Sequence, residues 1–99
     1  MISRENFIFT VGFEGNIAVV DGNLKRRYGK LNAEGLAREG LYKQAVCAAV
    51  YDEETDSNLE KILEIYNQAG ERAIDSAEEL KRVFGVFEVP EGIGKVMVI

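Results

Sequence analysis

Asn6-Phe7-Ile8-Phe9-Thr10-Val11-Gly12-Phe13 leads through Glu14-Gly15-Asn16 into Ile17-Ala18-Val19-Val20-Asp21-Gly22. Phe7, Phe9, Val11 and Phe13 recur at period two. In an extended chain that spacing puts all four on one face, so Asn6 to Phe13 reads as a strand. Glu14-Gly15-Asn16 supplies turn residues, and Ile17 to Val20 is a second strand, which makes a hairpin. Asp21-Gly22 suits a type I′ turn, whose two central residues take positive φ. A third strand over Asn23 to Tyr28 follows, and the N-terminal segment becomes a three-stranded meander.

Gly29 breaks this pattern, and helical signals take over. Asn32 is an N-cap for a short helix over Ala33 to Glu39, with Leu36 and Ala37 inward and Gly40 at its end. Leu41 to Tyr51 holds both alanines, which favour a helix, and β-branched residues, which tolerate a strand. A buried helix is the better fit, because alanine packs closely but fills a strand face poorly. Leu59, Ile62, Leu63 and Tyr66 fall at i, i+3, i+4 and i+7, the clearest helical stripe in the chain. Asp56 or Ser57 is expected to cap that helix, and Gly70 to end it. Ser76-Ala77-Glu78-Glu79 forms a capping box for a last helix with Leu80, Val83 and Phe84 inward, stopped by Gly85.

Val86 to Val89 and Lys95 to Ile99 read as two closing strands around a turn at Pro90-Glu91-Gly92-Ile93-Gly94. Strands at both ends with helices between them predict one α+β domain over residues 1–99. The expected architecture is a two-layer sandwich, with a mainly antiparallel sheet covered on one face by three or four helices. Phe9, Val19, Leu63, Leu80 and Phe84 are the expected core.

Composition is consistent with a folded domain. Hydrophobic residues make up 46% of the 99 residues and charged residues 29%, a globular mixture. No cleavable leader pattern opens the chain, no apolar run approaches the length of a membrane span, and a single cysteine forms no internal disulfide. The cytoplasm is therefore the expected compartment. The net charge is −5 and unevenly spread. Residues 1–50 carry seven basic and five acidic groups, and residues 51–99 carry five basic and twelve acidic groups. Such asymmetry favours oriented association, and the overall acidity argues against duplex DNA as a partner.

The chain has no His and no Trp. Histidine acid–base chemistry, Ser-His-Asp triads and His-ligated zinc are thereby excluded. Cys47 sits among small apolar residues, with Lys43 one helical turn away, and reads as a buried hydrophobe and not a nucleophile. Asp52, Glu54, Asp56 and Asn58 alternate like the first ligands of a calcium loop. Ser57 then replaces the glycine of the sharp turn, and Leu63 replaces the bidentate glutamate. No metal and no cofactor are expected; an enzyme using carboxylate, lysine or tyrosine acid–base chemistry stays open as a third reading, with no catalytic motif in the sequence to support it.

The basic run Lys25-Arg26-Arg27-Tyr28-Gly29-Lys30 is the one cluster with binding potential. Gly29-Lys30 matches the end of a phosphate-binding loop, but Gly22 stands too far upstream and Leu31 occupies the Ser/Thr position. Gly92-Ile93-Gly94-Lys95 precedes a strand, whereas a phosphate cradle precedes a helix. The Phe7, Phe9 and Phe13 stripe lacks the accompanying motifs of an RNA-stacking sheet and is assigned to the core. Two functions are carried forward. The first is a protein-interaction or regulatory domain, self-associating as a homo-oligomer or engaging another protein through free strand edges. The alternative is a binder of an anionic small molecule or RNA through Arg26, Arg27 and Lys30, with Tyr28 available for stacking.

Overall fold

The computed structural model describes residues 2–52, 55–70, 74–86 and 88–99. The fold is α+β, as the sequence predicts, with six helices and one three-stranded sheet among the described residues. The chain divides into two units, residues 1–30 with 89–99, and residues 31–88.

The first unit opens with helix α1, Arg4–Ile8, where the sequence predicts the start of a strand. The Ser3 hydroxyl accepts from the Asn6 amide and caps this helix, with Glu5 in the first turn, where a negative charge suits the dipole. Phe7, Ile8 and Phe9 are all buried, a run of three that a strand with one buried face does not produce. Strand β1, Thr10–Glu14, then pairs antiparallel with β2, Ile17–Val20, around the predicted turn at Gly15-Asn16. Gly15 takes φ +59°, a backbone state open to glycine at little cost. Val11 and Phe13 of the predicted core stripe are exposed.

The third strand of the expected meander is instead helix α2, Gly22–Tyr28. The deciding contact is local. The Asp21 carboxylate accepts from the amides of Asn23 and Leu24, both at 3.1 Å, and so acts as an N-cap where a hairpin turn was expected. Lys25, Arg26 and Arg27 then fall in the last turn, where cations complement the carboxyl end of a helix. The third strand of the sheet is β3, Lys95–Val98, which runs parallel to β2 in the order β1-β2-β3. The sheet is therefore mixed, with the N-terminal ladder antiparallel as predicted. A parallel neighbour needs a long crossover, and the intervening chain supplies one. Val86, Glu88 and Val89 of the predicted penultimate strand are not extended in a ladder, and Phe87 lies outside the described residues. The Val86 amide closes the preceding helix by donating to the Lys81 carbonyl at 3.0 Å, and the Val86 side chain is buried.

The second unit holds the four expected helices, α3 (Ala33–Arg38), α4 (Tyr42–Tyr51), α5 (Thr55–Gln68) and α6 (Ala77–Phe84). Asn32 caps α3 through its side chain, 2.8 Å from the Gly35 amide. Residues 41–51 resolve as a helix in which Ala45 to Ala49 are all buried, consistent with small side chains packed on every side. Asp56 and Ser57 lie inside the first turn of α5, not at its cap. Ser76 caps α6 by accepting from the Glu79 amide, and the Glu79 carboxylate reaches back to accept from the Asp75 amide.

Packing departs from the predicted core in detail. Leu36, Leu59, Ile62 and Leu80 are fully buried, while Leu63 and Phe84 are half-buried and Val83 is exposed. On α5 the buried line is Leu59, Ile62 and Tyr66, so Leu63 flanks the contact face. Val19, also predicted for the core, is half-buried in β2. Tyr66 of α5 meets Tyr42 of α4 and Phe84 of α6 edge to face, with Tyr42 and Tyr66 centroids 4.8 Å apart, while the Tyr42 and Phe84 rings are tilted at 34° to each other. Asn67 adds a polar clasp. Its side-chain amide donates to the Ile74 carbonyl and accepts from the Ile74 amide, each at 3.0 Å, which fixes the chain leaving α5.

Ile62→Ala is expected to cost about 2–5 kcal/mol, the range for large-to-small changes in a sealed core. Leu63→Ala is expected to cost clearly less. Urea denaturation of both variants checks this, and an equal or reversed order would contradict the assigned face of α5.

Candidate functional site

β3 is the one strand of the sheet with all four residues exposed. Val96, Met97 and Val98, with Ile99 beyond them, are 41, 47, 56 and 67% exposed. Its ladder to β2 uses alternate residues. The Lys95 amide donates to the Asn16 carbonyl (3.2 Å), the Ile99 amide donates to the Val20 carbonyl (2.9 Å), and the Ile99 carbonyl accepts from the Gly22 amide (3.1 Å). Strand parity then turns the N–H and C=O groups of Val96 and Val98 away from β2. Among the described residues no strand lies on that side.

The opposite edge of the sheet is built differently. Between Thr10 and Gly12 the register of β1 slips against β2, a bulge that leaves Val11 out of the pairing. The Thr10 hydroxyl lies 2.9 Å from the carbonyls of Gly12 and Val19 and accepts from the Gly12 amide, so it ties the bulge to β2. Bulges and edge charges are common ways of blunting a sheet edge, and β1 has the bulge and Glu14. β3 is regular and carries one charge, Lys95.

Beside the end of β3 lies a shallow, open depression of about 380 Å³, lined by Glu5, Gly22, Lys25, Arg26 and Val98. Gly22 is required by close approach. A Cβ there would stand 2.7 Å from Val98 Cγ1 and 3.0 Å from the Ile99 carbonyl oxygen. Lys25 Nζ donates to Asn6 Oδ1 at 2.7 Å, and an Arg26 guanidinium nitrogen donates to Asn23 Oδ1 at 3.0 Å. Both contacts orient the cations without neutralising them, and neither cation has an ion-pair partner among the described residues.

The predicted anion-binding set is thus only partly assembled. Of Arg26, Arg27 and Lys30, Arg26 lines the depression. Arg27 lies against the ring of Tyr28, 5.4 Å from its centroid, and Lys30 is exposed in the turn after α2. Lys25 and Glu5 join Arg26, and the sequence reading did not select either for this site. The signal that could have found them is the Asp21 cap. Once residues 22–28 are a helix, Lys25 and Arg26 become neighbours on one flank.

The other sequence candidates carry no site. In the second unit, Glu34, Arg38, Lys61, Glu64, Ile65 and Gln68 line a smaller groove. Arg38 pairs with Glu34 at 2.9 Å, and that hydrogen bond and charge hold the Glu34 carboxyl below its ordinary range. Glu54 of the alternating acidic series lies outside the described residues. No cluster of metal-ligating side chains occurs among the described residues, and none of their helices is long and apolar enough to cross a membrane. Cys47 is buried in α4, and burial pushes its thiol up to about 11, against a smaller opposing effect of Lys43.

Native Cys47 is therefore expected to label slowly with a thiol reagent below pH 9 and rapidly after unfolding. Because its folded pKa is raised, its stabilising contribution is present at lower pH and is lost as pH rises from about 9 to about 11. Cys47→Ala is expected to flatten stability over that window relative to the parent. Rapid native labelling would overturn the burial.

No family model, curated protein or solved structure matches this chain.

Proposed function

We propose that this chain is a protein-interaction domain that accepts an extended segment of a partner polypeptide along the free edge of β3. One observation carries the reading: a regular strand edge with four successive exposed apolar residues stands opposite a bulged one in the same small sheet. Strand addition uses such an edge directly. Backbone hydrogen bonds give affinity, and alternate side chains give selectivity. Val96 and Val98 offer two donors and two acceptors, and Val96, Met97, Val98 and Ile99 offer apolar surface on both faces.

Self-association, expected from the sequence, would use the same edge. An antiparallel pair of β3 strands centred on Met97 would satisfy all four outward groups. It would also bring together two chains that each carry a net charge of −5. Like charges brought together oppose that pairing, so a partner of different sequence is the better occupant. The anionic-ligand reading has less support, since its three cations do not converge.

Selection from a random display library of peptides about ten residues long tests the proposal. Enriched peptides should bind the parent protein and bind Val96→Pro/Val98→Pro at least about ten-fold more weakly. These prolines remove the two outward amides while leaving the β2 ladder intact. Val96→Lys, which leaves the backbone untouched, serves as a second edge variant. Circular dichroism reports whether each variant keeps its fold. Failure to enrich any peptide, or equal binding by folded edge variants, would contradict the proposal.

A further inference from the structure

We infer that the residue of the incoming strand that pairs with Val98 is an acidic one, read by Lys25 and Arg26; this rests on strand addition at β3. Residues directly opposite in a ladder place their side chains on the same face, about 4.5–5.5 Å apart at Cβ. The partner residue opposite Val98 therefore projects on the face where Val98 lines the depression with Lys25, Arg26, Gly22 and Glu5. The contact between Val98 Cγ1 and the Gly22 position puts the Val98 side chain itself on that side.

Charge then selects the occupant. Two cations and one carboxylate line the depression, which leaves one positive charge in excess. Lys25 and Arg26 are each tethered through one hydrogen bond to a neutral asparagine. An ammonium has three donors and a guanidinium five, so both keep donors for a ligand. A carboxylate satisfies them with charge-assisted bonds, which are about twice as strong as neutral ones. Glu5 repels a second carboxylate, which limits the site to one acidic residue. A basic residue opposite Val98 would meet Lys25 and Arg26 at close range. The segment Lys95-Val96-Met97-Val98-Ile99 contains no acidic side chain, so a second copy pairing through β3 places none opposite Val98.

The test uses the full chain and blocked synthetic peptides of alternating Val and Thr, with Glu, Gln or Lys at one central Thr position. Affinity is measured by fluorescence anisotropy at low and moderate salt. The Glu peptide should bind about ten-fold tighter than the Gln peptide, and the Lys peptide most weakly. The Glu preference should shrink as salt rises. Lys25→Gln/Arg26→Gln should remove the preference for Glu over Gln. Equal binding of Glu and Gln peptides by the parent would overturn the carboxylate inference while leaving strand addition standing. No binding of any peptide, or binding insensitive to Val96→Pro/Val98→Pro, would overturn both. Concentration-dependent dimerisation lost in the proline variant would make a second copy the occupant and overturn the acidic segment. Displacement of the Glu peptide by single-stranded RNA of any sequence would assign the cations to a nucleic acid instead.

Discussion

The Gly22 amide donates to the Ile99 carbonyl while the Ile99 amide donates to the Val20 carbonyl, and the first unit depends on this pair of bonds. They seat β3 beside β2 and hold the end of β3 against the start of α2. Only a residue without a Cβ permits that approach at position 22. Because β3 takes its partners on one side, no strand among the described residues pairs with the other side of its backbone. The same closure places Val98 next to the α2 side chains that line the depression. Edge and pocket are thus two consequences of one contact.

The two edges of the sheet show how local chemistry separates a protected strand from a receptive one. β1 spends a residue on a bulge, which the Thr10 hydroxyl ties to the carbonyls of Gly12 and of Val19 in β2. Such features oppose edge-to-edge pairing. β3 has neither, and its single charge lies at its first residue. Exposed apolar residues scattered over a surface need no explanation. Four in succession along an open ladder do, and strand addition accounts for both their chemistry and their backbone.

Much of the helical structure is legible in the sequence, because its determinants are local. Asn32, Ser76 and the stripe through Leu59, Ile62 and Tyr66 announce helices within a few residues of themselves. The N-terminal errors have equally specific causes. Phe7 and Phe9 satisfy a period of two, yet the Ser3 cap and three consecutive buried residues belong to a helical turn. Asp21-Gly22 suits both a hairpin and an N-cap, and the choice is made by the side-chain bonds to Asn23 and Leu24. The parallel pairing of β3 joins residues far apart in the chain, which no local pattern encodes. For the candidate site, the cations are visible as a cluster, but their grouping depends on the helix that replaces the expected strand. The open edge is invisible until the pairing partner of β3 is known. Leu63 shows the remaining limit, since a helical stripe gives a face but not which of its members the neighbours seal.

Amide hydrogen exchange along β3, read residue by residue by NMR in the isolated protein, tests the open edge most directly. Alternation is the signature of a strand bonded on one side, because amides directed at β2 are protected and amides directed outward are not. The amides of Met97 and Ile99 should exchange much more slowly than those of Val96 and Val98. Uniform protection of all four would mean that the outer side of β3 is already occupied, and uniform rapid exchange would mean that β3 is not held on β2; either contradicts the account.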